Sequence, residues 1–274
     1  MGEQQRIGRL MKGYPQLLGE PAMTTIHTDA IGLEEDEVWI PVSDGELPAY
    51  RAKPAKTKKS PILLIIQEVF GCDDYLQDTC RRAAKAGFLA VAPELYVRQG
   101  EPGLARTREA LFDIVTSVPD AQVMSDLDSA ATWAAHDDGG DISRLACTGF
   151  CWGGRIVWMY AAHNPGLKAG VAWYGRLIGD SSANTPAYPV DVARQLHAPV
   201  LGLYGEKDEG IPLDTVERMK AVLAEAADPS QFIIYPSAPH AFHADYRPSF
   251  VRQDAEDGWQ QMLDWFQQQD VLTP

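Results

Sequence analysis

Residues 149–154 read Gly149-Phe150-Cys151-Trp152-Gly153-Gly154, and they join a strand pattern to a helix pattern. The apolar residues 145–150 lead into the cysteine, and the helical pattern of 155–163 follows it. A turn this sharp brings neighbouring backbones close together, which explains the glycines two residues before and two residues after the cysteine. Cys151 would lie at a helix N-terminus, where the helix dipole favours thiolate over thiol. The stretch predicts a nucleophilic cysteine; a buried structural cysteine beside a glycine-rich turn is the alternative.

The composition is that of a globular protein with a sizeable core. The chain has 274 residues, 45% of them hydrophobic, and a formal net charge of −14. A chain of this length in an α/β fold often forms one domain. Because nucleic acid binding needs a basic surface, the acidic charge argues against a nucleic acid partner. We expect a small-molecule partner, and a monomer or a small homo-oligomer.

No segment has the length or composition of a membrane anchor. The longest aliphatic run, 62–66, is far shorter than the about 20 apolar residues that span a bilayer. Residues 1–25 lack the apolar core of a signal peptide. The sequence therefore predicts no membrane partner and a cytoplasmic location.

The cysteines and histidines do not form a recognisable metal site. Four cysteines in a chain of this length are too few for a disulfide scaffold. Cys147 and Cys151 lie roughly 13 Å apart along a strand, at about 3.3 Å per residue, so they cannot share one ion. His240 and His243 are spaced like a ligand pair, but nothing nearby completes a site. We therefore expect no metal and no cofactor.

Strand and helix patterns alternate through most of the chain. Residues 1–35 are polar and punctuated by glycine and proline, which predicts an N-terminal extension on the surface or partly disordered. Residues 36–274 read as one domain. Strands are expected at 37–42, 48–53, 62–67, 88–92, 145–150, 169–174, 200–204 and 232–235, and helices at 74–86, twice within 103–136, and at 155–163, 213–226 and 253–269. This alternation predicts an α/β fold with a mostly parallel sheet of about eight strands and helices on both faces.

Four reactive side chains follow the ends of predicted strands. Cys151 follows one strand, Asp208 the penultimate strand, His240 the last strand, and Glu68 the first buried parallel strand. The carboxyl ends of parallel strands share one edge of a sheet, where binding sites collect. Nucleophile, acid and base come in the chain order of α/β-hydrolases, with cysteine in place of the usual serine. The sequence therefore predicts an α/β-hydrolase fold with a cysteine triad.

Each member of the triad has a side chain suited to its role. His240 would accept and return a proton near neutral pH, and Asp208 would orient the imidazole and stabilise the imidazolium. Asp208 is preferred to Glu206 and Glu209 because of its position in the loop after the strand. A surface loop histidine is the alternative for His240 taken alone. The elbow and the strand positions favour the triad.

The same fold predicts two backbone donors beside the cysteine. In α/β-hydrolases the oxyanion binds the N–H of the residue after the nucleophile and an N–H from the loop after the third strand. Here these residues are Trp152 and Val69. Two such donors stabilise a transition state by several kcal/mol.

Residues 35–270 resemble the dienelactone hydrolase (carboxymethylenebutenolidase) family. The most specific part of the resemblance is the cysteine at the elbow together with a glutamate in the oxyanion loop. The matching segments are Gln67-Glu68-Val69-Phe70-Gly71, Ala92-Pro93-Glu94-Leu95-Tyr96-Val97-Arg98-Gln99, Gly149-Phe150-Cys151-Trp152-Gly153-Gly154, Ala172-Trp173-Tyr174-Gly175 and His240-Ala241-Phe242.

The resemblance implies hydrolysis of small cyclic enol esters through a thioester, without a cofactor. It gives Glu68 the role of holding or deprotonating the Cys151 thiol when substrate arrives, so that the thiolate forms only in the complex. It gives Arg98 the role of binding a substrate carboxylate. A loop cap and a solvated surface charge are the alternatives for these two residues. The family's prototypes carry a second arginine where this chain has Ala244. Either Arg247 compensates three residues later, or the substrate is not the dienelactone.

Further aromatic residues lie near the predicted site. Tyr96, Trp173 and Tyr174 are expected to line the pocket mouth, with ordinary packing as the alternative. Tyr96 and Tyr174 would then bind substrate. His243 is expected to face solvent.

Two other functional classes remain open. A general carboxylesterase or thioesterase would use the same fold and triad. A non-enzymatic thiol sensor or binding protein would keep a reactive Cys151 without ester turnover. Hydrolysis of enol lactones is preferred because the elbow and Glu68 match together.

Overall fold

The computed structural model describes residues 5–10, 15, 17 and 26–273, in which eight strands and seven α-helices alternate. The strands are β1 (Leu33–Val42), β2 (Gly45–Pro54), β3 (Ser60–Ile66), β4 (Leu89–Pro93), β5 (Gly140–Phe150), β6 (Ala169–Trp173), β7 (Val200–Gly205) and β8 (Gln231–Tyr235). The helices are α1 (Asp74–Lys85), α2 (Arg108–Ser117), α3 (Asp120–His136), α4 (Trp152–His163), α5 (Pro189–Val192), α6 (Leu213–Glu225) and α7 (Arg252–Gln268).

All eight strands form one sheet, in the order β1-β2-β4-β3-β5-β6-β7-β8. The pairs β1–β2 and β2–β4 are antiparallel, and every other pair is parallel. Because crossovers between parallel strands are right-handed, α1, which leads from β3 to β4, lies on the face opposite α3, α4 and α6. The predicted mostly parallel sheet of about eight strands is confirmed.

The chain reverses its direction across the sheet at β3. From β3 it crosses to β4 on one side and then to β5 on the other. In open α/β sheets, ligands bind beyond the carboxyl ends of the strands at such a point. Glu68 follows β3 and Cys151 follows β5, so both residues lie there. β3 is buried along its whole length, as its continuous apolar sequence predicts.

Two strands, β1 and β5, begin four or five residues earlier than the sequence pattern predicts. β1 begins at Leu33, which pairs with Pro54, although the next four residues are exposed. β5 begins at Gly140, which pairs with Ser60. Neither start shows the alternation of apolar and polar residues that marks a half-buried strand. Backbone pairing alone therefore extends these strands, and the predicted domain start at residue 36 falls inside β1.

Residues 5–7 of the predicted N-terminal extension pair with the start of β2. The N–H of Ile7 donates to the carbonyl of Glu46 at 2.9 Å, and the N–H of Glu46 donates to the carbonyl of Gln5 at 3.0 Å. Leu10 is buried. Residues 1–4, 11–14, 16 and 18–25 lie outside the described residues, so the division into extension and domain stays a prediction.

The longest helices are α3 and α7, with 17 residues each. Both carry acidic residues along their length. Within the described ranges, none of the helices is both long enough and apolar enough to cross a membrane.

Candidate active site

Cys151 occupies the sharp turn between β5 and α4. Its backbone has φ 54° and ψ −111°, and it is the N-cap residue of α4. A Cβ atom on Gly149 would lie 2.4 Å from the carbonyl oxygen of Gly153, and one on Gly153 would lie 2.3 Å from that of Ile66. Backbone cannot retreat as a flexible side chain can, so both positions require glycine. The turn places Cys151 at the positive end of the α4 dipole.

The structure brings the three predicted triad residues together. His240 Nε2 lies 3.2 Å from the Sγ atom of Cys151, and His240 Nδ1 lies 2.6 Å from Oδ2 of Asp208. Asp208 is buried, whereas the histidine side chain keeps 35% of its exposure. The arrangement is that of nucleophile, base and orienting acid.

Asp208 differs from its acidic neighbours in burial and in hydrogen bonding. Its Oδ1 atom accepts from the N–H of Gly210 at 2.9 Å, while Oδ2 faces His240. Glu206 and Glu209, on either side, are exposed. Of the three, only Asp208 contacts the histidine in the described part of the chain.

The environment of His240 favours the imidazolium. Burial lowers its pKa, but the charge of Cys151 and the hydrogen bond to Asp208 outweigh burial and raise the pKa to about 10. A negative charge on Cys151 would thus keep a proton on the imidazole at neutral pH and form an imidazolium–thiolate pair. Such an ion pair is a common ground state of cysteine nucleophiles paired with histidine.

Glu68 is buried, and its carboxylate faces two residues of the loop that carries His240. Its Oε2 atom accepts from the hydroxyl of Tyr246 at 2.9 Å, and its Oε1 atom lies 3.6 Å from Nη1 of Arg247. No hydrogen bond joins Glu68 to Cys151 among the residues described, and the sulfur contacts His240 instead. Oε1 is buried without a hydrogen-bond partner in the described residues, so the role that the resemblance gives to Glu68 when substrate arrives stays a prediction.

Arg247 lies on the same side of the site. Its guanidinium lies 5.7 Å from the ring centroid of Phe70, in the oxyanion loop. Burial lowers the pKa of Arg247, but the charges of Glu68, Tyr246 and Cys151 raise it further than burial lowers it. This arginine therefore stands where a negative charge next to the nucleophile would bind.

Arg98 does not have the role that the resemblance implies. Its guanidinium donates to both oxygens of Asp44, each at 2.7 Å, and to both oxygens of Asp126, at 2.7 and 3.1 Å. Asp44 lies in the turn between β1 and β2 and Asp126 on α3. Two carboxylates already accept hydrogen bonds from this guanidinium. The expectation that Arg98 binds a substrate carboxylate is therefore corrected: it forms an ion pair within the protein.

Tyr96 and Tyr174 are buried in the wall of the site rather than at its mouth. The ring centroid of Tyr96 lies 4.8 Å from that of Trp152, and Tyr174 meets His240 edge-on at 5.2 Å. Neither hydroxyl has a hydrogen-bond partner in the described residues. A buried polar atom without a partner is costly, and a ligand is one way to supply it. Trp173 is also buried, so it does not line the mouth of the site.

The two predicted oxyanion donors follow the neighbouring strands β3 and β5. Val69 is in the turn after β3, and Trp152 is the first residue of α4. Within the part of the chain described, neither backbone N–H is used in a hydrogen bond. Both amides are therefore available to an oxygen atom of a ligand.

Glu94, at the end of β4, supports the oxyanion loop. It accepts hydrogen bonds from the N–H of Cys72 at 2.6 Å, the N–H of Tyr96 at 3.2 Å and the side-chain amide of Gln67 at 3.2 Å. Burial raises its pKa. The sequence places Glu94 directly after an apolar strand, which is the signal of a buried carboxylate, but it does not indicate these partners.

His243 is buried and does not face solvent, contrary to expectation. Its Nδ1 atom lies 2.5 Å from the hydroxyl of Tyr75, and its Nε2 atom lies 2.8 Å from Nη2 of Arg82. The ring stacks on Phe150 with centroids 5.0 Å apart. The sequence did not indicate this because both polar partners lie on α1, more than 160 residues away.

The cysteines do not combine with other side chains into a metal site. In the described ranges, no group of three or more His, Cys, Asp or Glu side chains has the arrangement of metal ligands. Cys72, Cys80 and Cys147 are buried free thiols, and Cys151 is the partly exposed one.

Known proteins share both the sequence and the fold of this chain. Residues 47–270 match the sequence profile of the dienelactone hydrolase family. A protein of Methylorubrum extorquens named "Putative carboxymethylenebutenolidase" is 56% identical over 251 residues, covering 91% of this chain and 86% of that protein. A Yersinia pestis protein of the same name is 52% identical over 256 residues, covering 90% and 96%. The crystal structure titled "Putative Dienelactone Hydrolase" from Klebsiella pneumoniae has a TM-score of 0.85 at 53% identity, covering 86% of this chain and 99% of that one. This chain therefore belongs to the dienelactone hydrolase family, hydrolases of ester and lactone bonds with the α/β-hydrolase fold.

Proposed function

We propose that this enzyme hydrolyses small enol lactones and esters that carry a carboxylate, of the carboxymethylenebutenolide type, through a thioester on Cys151. The observation that carries the proposal is the line of contacts from the Cys151 sulfur to His240 and on to Asp208. The relatives named above carry the name of this substrate class. The steps below use only side chains, backbone amides and water, and need no cofactor.

In the first step the Cys151 thiolate attacks the carbonyl carbon and a C–S bond forms. The oxygen becomes an oxyanion beside the amides of Val69 and Trp152. Collapse of this intermediate breaks the ring C–O bond. The enolate oxygen that leaves takes the proton of the His240 imidazolium. The products of this step are a thioester and a neutral imidazole.

Acylation prepares His240 for the second step. The thiolate charge is the strongest influence that raises the histidine pKa, and a thioester carries no charge. Neutral His240 then accepts a proton from water while the water oxygen attacks the thioester carbonyl. The C–S bond breaks, the acid is released, and Cys151 thiolate again faces His240 imidazolium.

Arg247 is the residue that we assign to the substrate carboxylate. Its contact with Glu68 is a loose 3.6 Å, longer than a charge-assisted hydrogen bond. An entering carboxylate can make closer, bidentate bonds to the same guanidinium. The role that the resemblance gives to Arg98 would thus belong to Arg247, three residues after Ala244. Tyr96, with its unpartnered hydroxyl, supplies a further donor.

The test is a substrate panel with the purified full chain. It comprises a carboxymethylenebutenolide, its methyl ester, a p-nitrophenyl ester and an acyl thioester. We expect the free acid lactone to have the highest kcat/KM, about 10- to 100-fold above its methyl ester, since a charged hydrogen bond contributes about 1.5–3 kcal/mol.

The other outcomes identify the alternatives. Preference for neutral esters or for thioesters would replace this proposal with a general carboxylesterase or a thioesterase. No turnover of any substrate, with Cys151 still open to alkylation, would indicate a thiol sensor or binding protein. Cys151→Ala should abolish turnover, and Cys147→Ala, which removes a buried thiol outside the triad, is the matched control.

A further inference from the structure

A short segment before β1, residues 26–31, connects α1 to the loop after β8; we call it the N-terminal strap. At one end, the N–H of Ile26 donates to Oδ2 of Asp245 at 2.8 Å. Further along, the N–H of Thr28 donates to Oδ1 of Asp78 at 2.7 Å, and its hydroxyl donates to Oδ2 at 3.1 Å. Asp78 lies on α1, and Asp245 lies in the loop that carries the catalytic histidine. The strap therefore bridges these two parts of the structure.

The strap is held on α1 by several further hydrogen bonds. Nε of Arg81 donates to the carbonyl of Thr28 at 2.9 Å. The ammonium group of Lys85 donates to Oδ1 of Asp29 and to the carbonyl of Ile31, each at 2.7 Å. Because both backbone and side chains of the strap are bound, its position is fixed relative to α1.

The loop after β8 has little regular structure of its own. Between β8 and α7, where every residue is described, the chain forms turns and no strand or helix. The N–H of Ala244 donates to the carbonyl of Ala241 at 3.1 Å, and the N–H of Arg247 donates to that of Ala244 at 3.0 Å. Such local bonds fix the shape of each turn but not its distance from the rest of the site. Side-chain contacts to other segments, such as that of the buried Asp245, have to fix this distance.

Two consecutive residues attach this loop to different neighbours. Asp245 accepts from the strap, and Tyr246 donates to Glu68 at 2.9 Å. Arg247 comes next, and its Nη1 atom stays 3.6 Å from Oε1 of Glu68, a buried atom without a hydrogen-bond partner in the described residues. Free to approach, a guanidinium and a carboxylate close to about 2.7–2.9 Å. The backbone position of the loop therefore keeps the two charges apart.

We propose that Asp245, bound by the N-terminal strap, is a positioning residue that keeps Arg247 from closing on Glu68 and so leaves the guanidinium available to the substrate carboxylate. The inference rests on the proposed function, since it concerns the same bound acid. Asp245 does not touch the substrate, and its bond to the strap is kept throughout the reaction. When this bond is lost, Arg247 pairs with Glu68, and the substrate has to compete for the guanidinium.

Three substitutions of Asp245 give the kinetic test. Asp245→Ala should raise KM for the acid lactone about tenfold, with kcat and turnover of the methyl ester unchanged. Asp245→Asn should keep the wild-type KM, because its amide oxygen can still accept from the N–H of Ile26. Asp245→Ser keeps a polar group in the turn, but its hydroxyl is one bond shorter than the carboxylate. It should therefore behave like the alanine variant, and it serves if alanine impairs folding.

Two controls separate positioning from a general loss of structure. Asp29→Ala removes a carboxylate of the strap that binds the exposed Lys85 and not the loop after β8, so KM should not change. Combining Asp245→Ala with Arg247→Gln should raise KM no further than Arg247→Gln alone, because Asp245 acts through the arginine. An equal loss with the methyl ester, no recovery with asparagine, or additive effects in the double variant would overturn the assignment.

A crystal structure of Asp245→Ala tests the same claim without turnover. Nη1 of Arg247 should move from 3.6 Å to about 2.7–2.9 Å from the Glu68 carboxylate. An unchanged separation refutes the positioning role, whatever the substrate. Closure of the pair, together with no hydrolysis of the acid lactone by the wild type, would support the positioning role and refute only the proposed function.

Discussion

The guanidinium of Arg247 lies 3.6 Å from the carboxylate of Glu68. This contact links the loop after β3, which carries the oxyanion donor Val69, to the loop after β8, which carries His240. Glu68 also accepts a hydrogen bond from Tyr246, so the arginine is not its only partner. Arg247 is therefore a cation close to the nucleophile that Glu68 binds only loosely.

Arg247→Gln should raise KM for a carboxylate-bearing lactone about 10- to 100-fold and leave the methyl ester unaffected. The physical reason is loss of the cation that binds the acid. Arg98→Gln is the matched control. It should lower the free energy of unfolding by about 3 kcal/mol, because Asp126 stays buried without its partner, and should leave KM unchanged. Steady-state kinetics and urea denaturation check both; a KM effect at Arg98 alone would reverse the assignment.

His240 should remain protonated well above neutral pH in the free enzyme. Its pKa is raised to about 10, with the charge of Cys151 as the strongest raising influence. Cys151→Ala should therefore lower the pKa of His240, as followed by histidine NMR. Titration of the wild-type residue near 6.5, or no change in the variant, would contradict the ion pair.

The same shift predicts how stability depends on pH. The folded protein holds a proton that the unfolded chain releases near pH 6.5. The contribution of the His240 proton alone to the free energy of unfolding is therefore complete below that pH and declines as pH rises towards about 10. Denaturation midpoints of wild type and Cys151→Ala across this range should converge at high pH.

Glu94→Gln should slow catalysis although Glu94 acts through the loop that it supports and not on the reacting atoms. Its amide group can replace only part of the acceptor capacity that Cys72, Tyr96 and Gln67 use, and a buried N–H left unpaired costs about 1–3 kcal/mol. We expect lower stability and a lower kcat, because the loop that carries Val69 loses its support. Glu101→Gln, an exposed neighbour, is the control. Unchanged kcat in a destabilised variant would limit Glu94 to folding.

Gly153→Ala should destabilise the elbow by about 2–4 kcal/mol, since its Cβ atom would lie 2.3 Å from a backbone oxygen. Gly166→Ala meets only the side-chain oxygen of Asn164, at 3.1 Å, and should be nearly neutral. Thermal or urea unfolding of the two variants compares them directly. Equal stability would mean that the elbow backbone adapts.

Local patterns carried most of what the sequence could predict. A few neighbouring residues were enough to predict the buried strand β3 and the turn at Cys151. The same is true of the loops after β7 and β8. Topology then brought Asp208 and His240 to the sulfur, because parallel strands share a carboxyl edge.

Contacts between distant segments could not be predicted in the same way. Arg98 is bound by Asp44 and Asp126, which lie 54 and 28 residues away in the chain. No sequence pattern around any of these residues indicates the ion pairs. His243 lies in a loop next to the catalytic histidine, but α1 covers it. In both cases a polar side chain looked exposed, because its partner comes from a different part of the chain.

The central claim is a thioester on Cys151, and mass spectrometry of the acid-quenched reaction tests it most directly. With a slowly hydrolysed ester, we expect one acyl group per enzyme, located on the peptide that contains Cys151, released by hydroxylamine and absent from Cys151→Ala. An acyl group on another residue, or full turnover by Cys151→Ala with no adduct, would contradict the account.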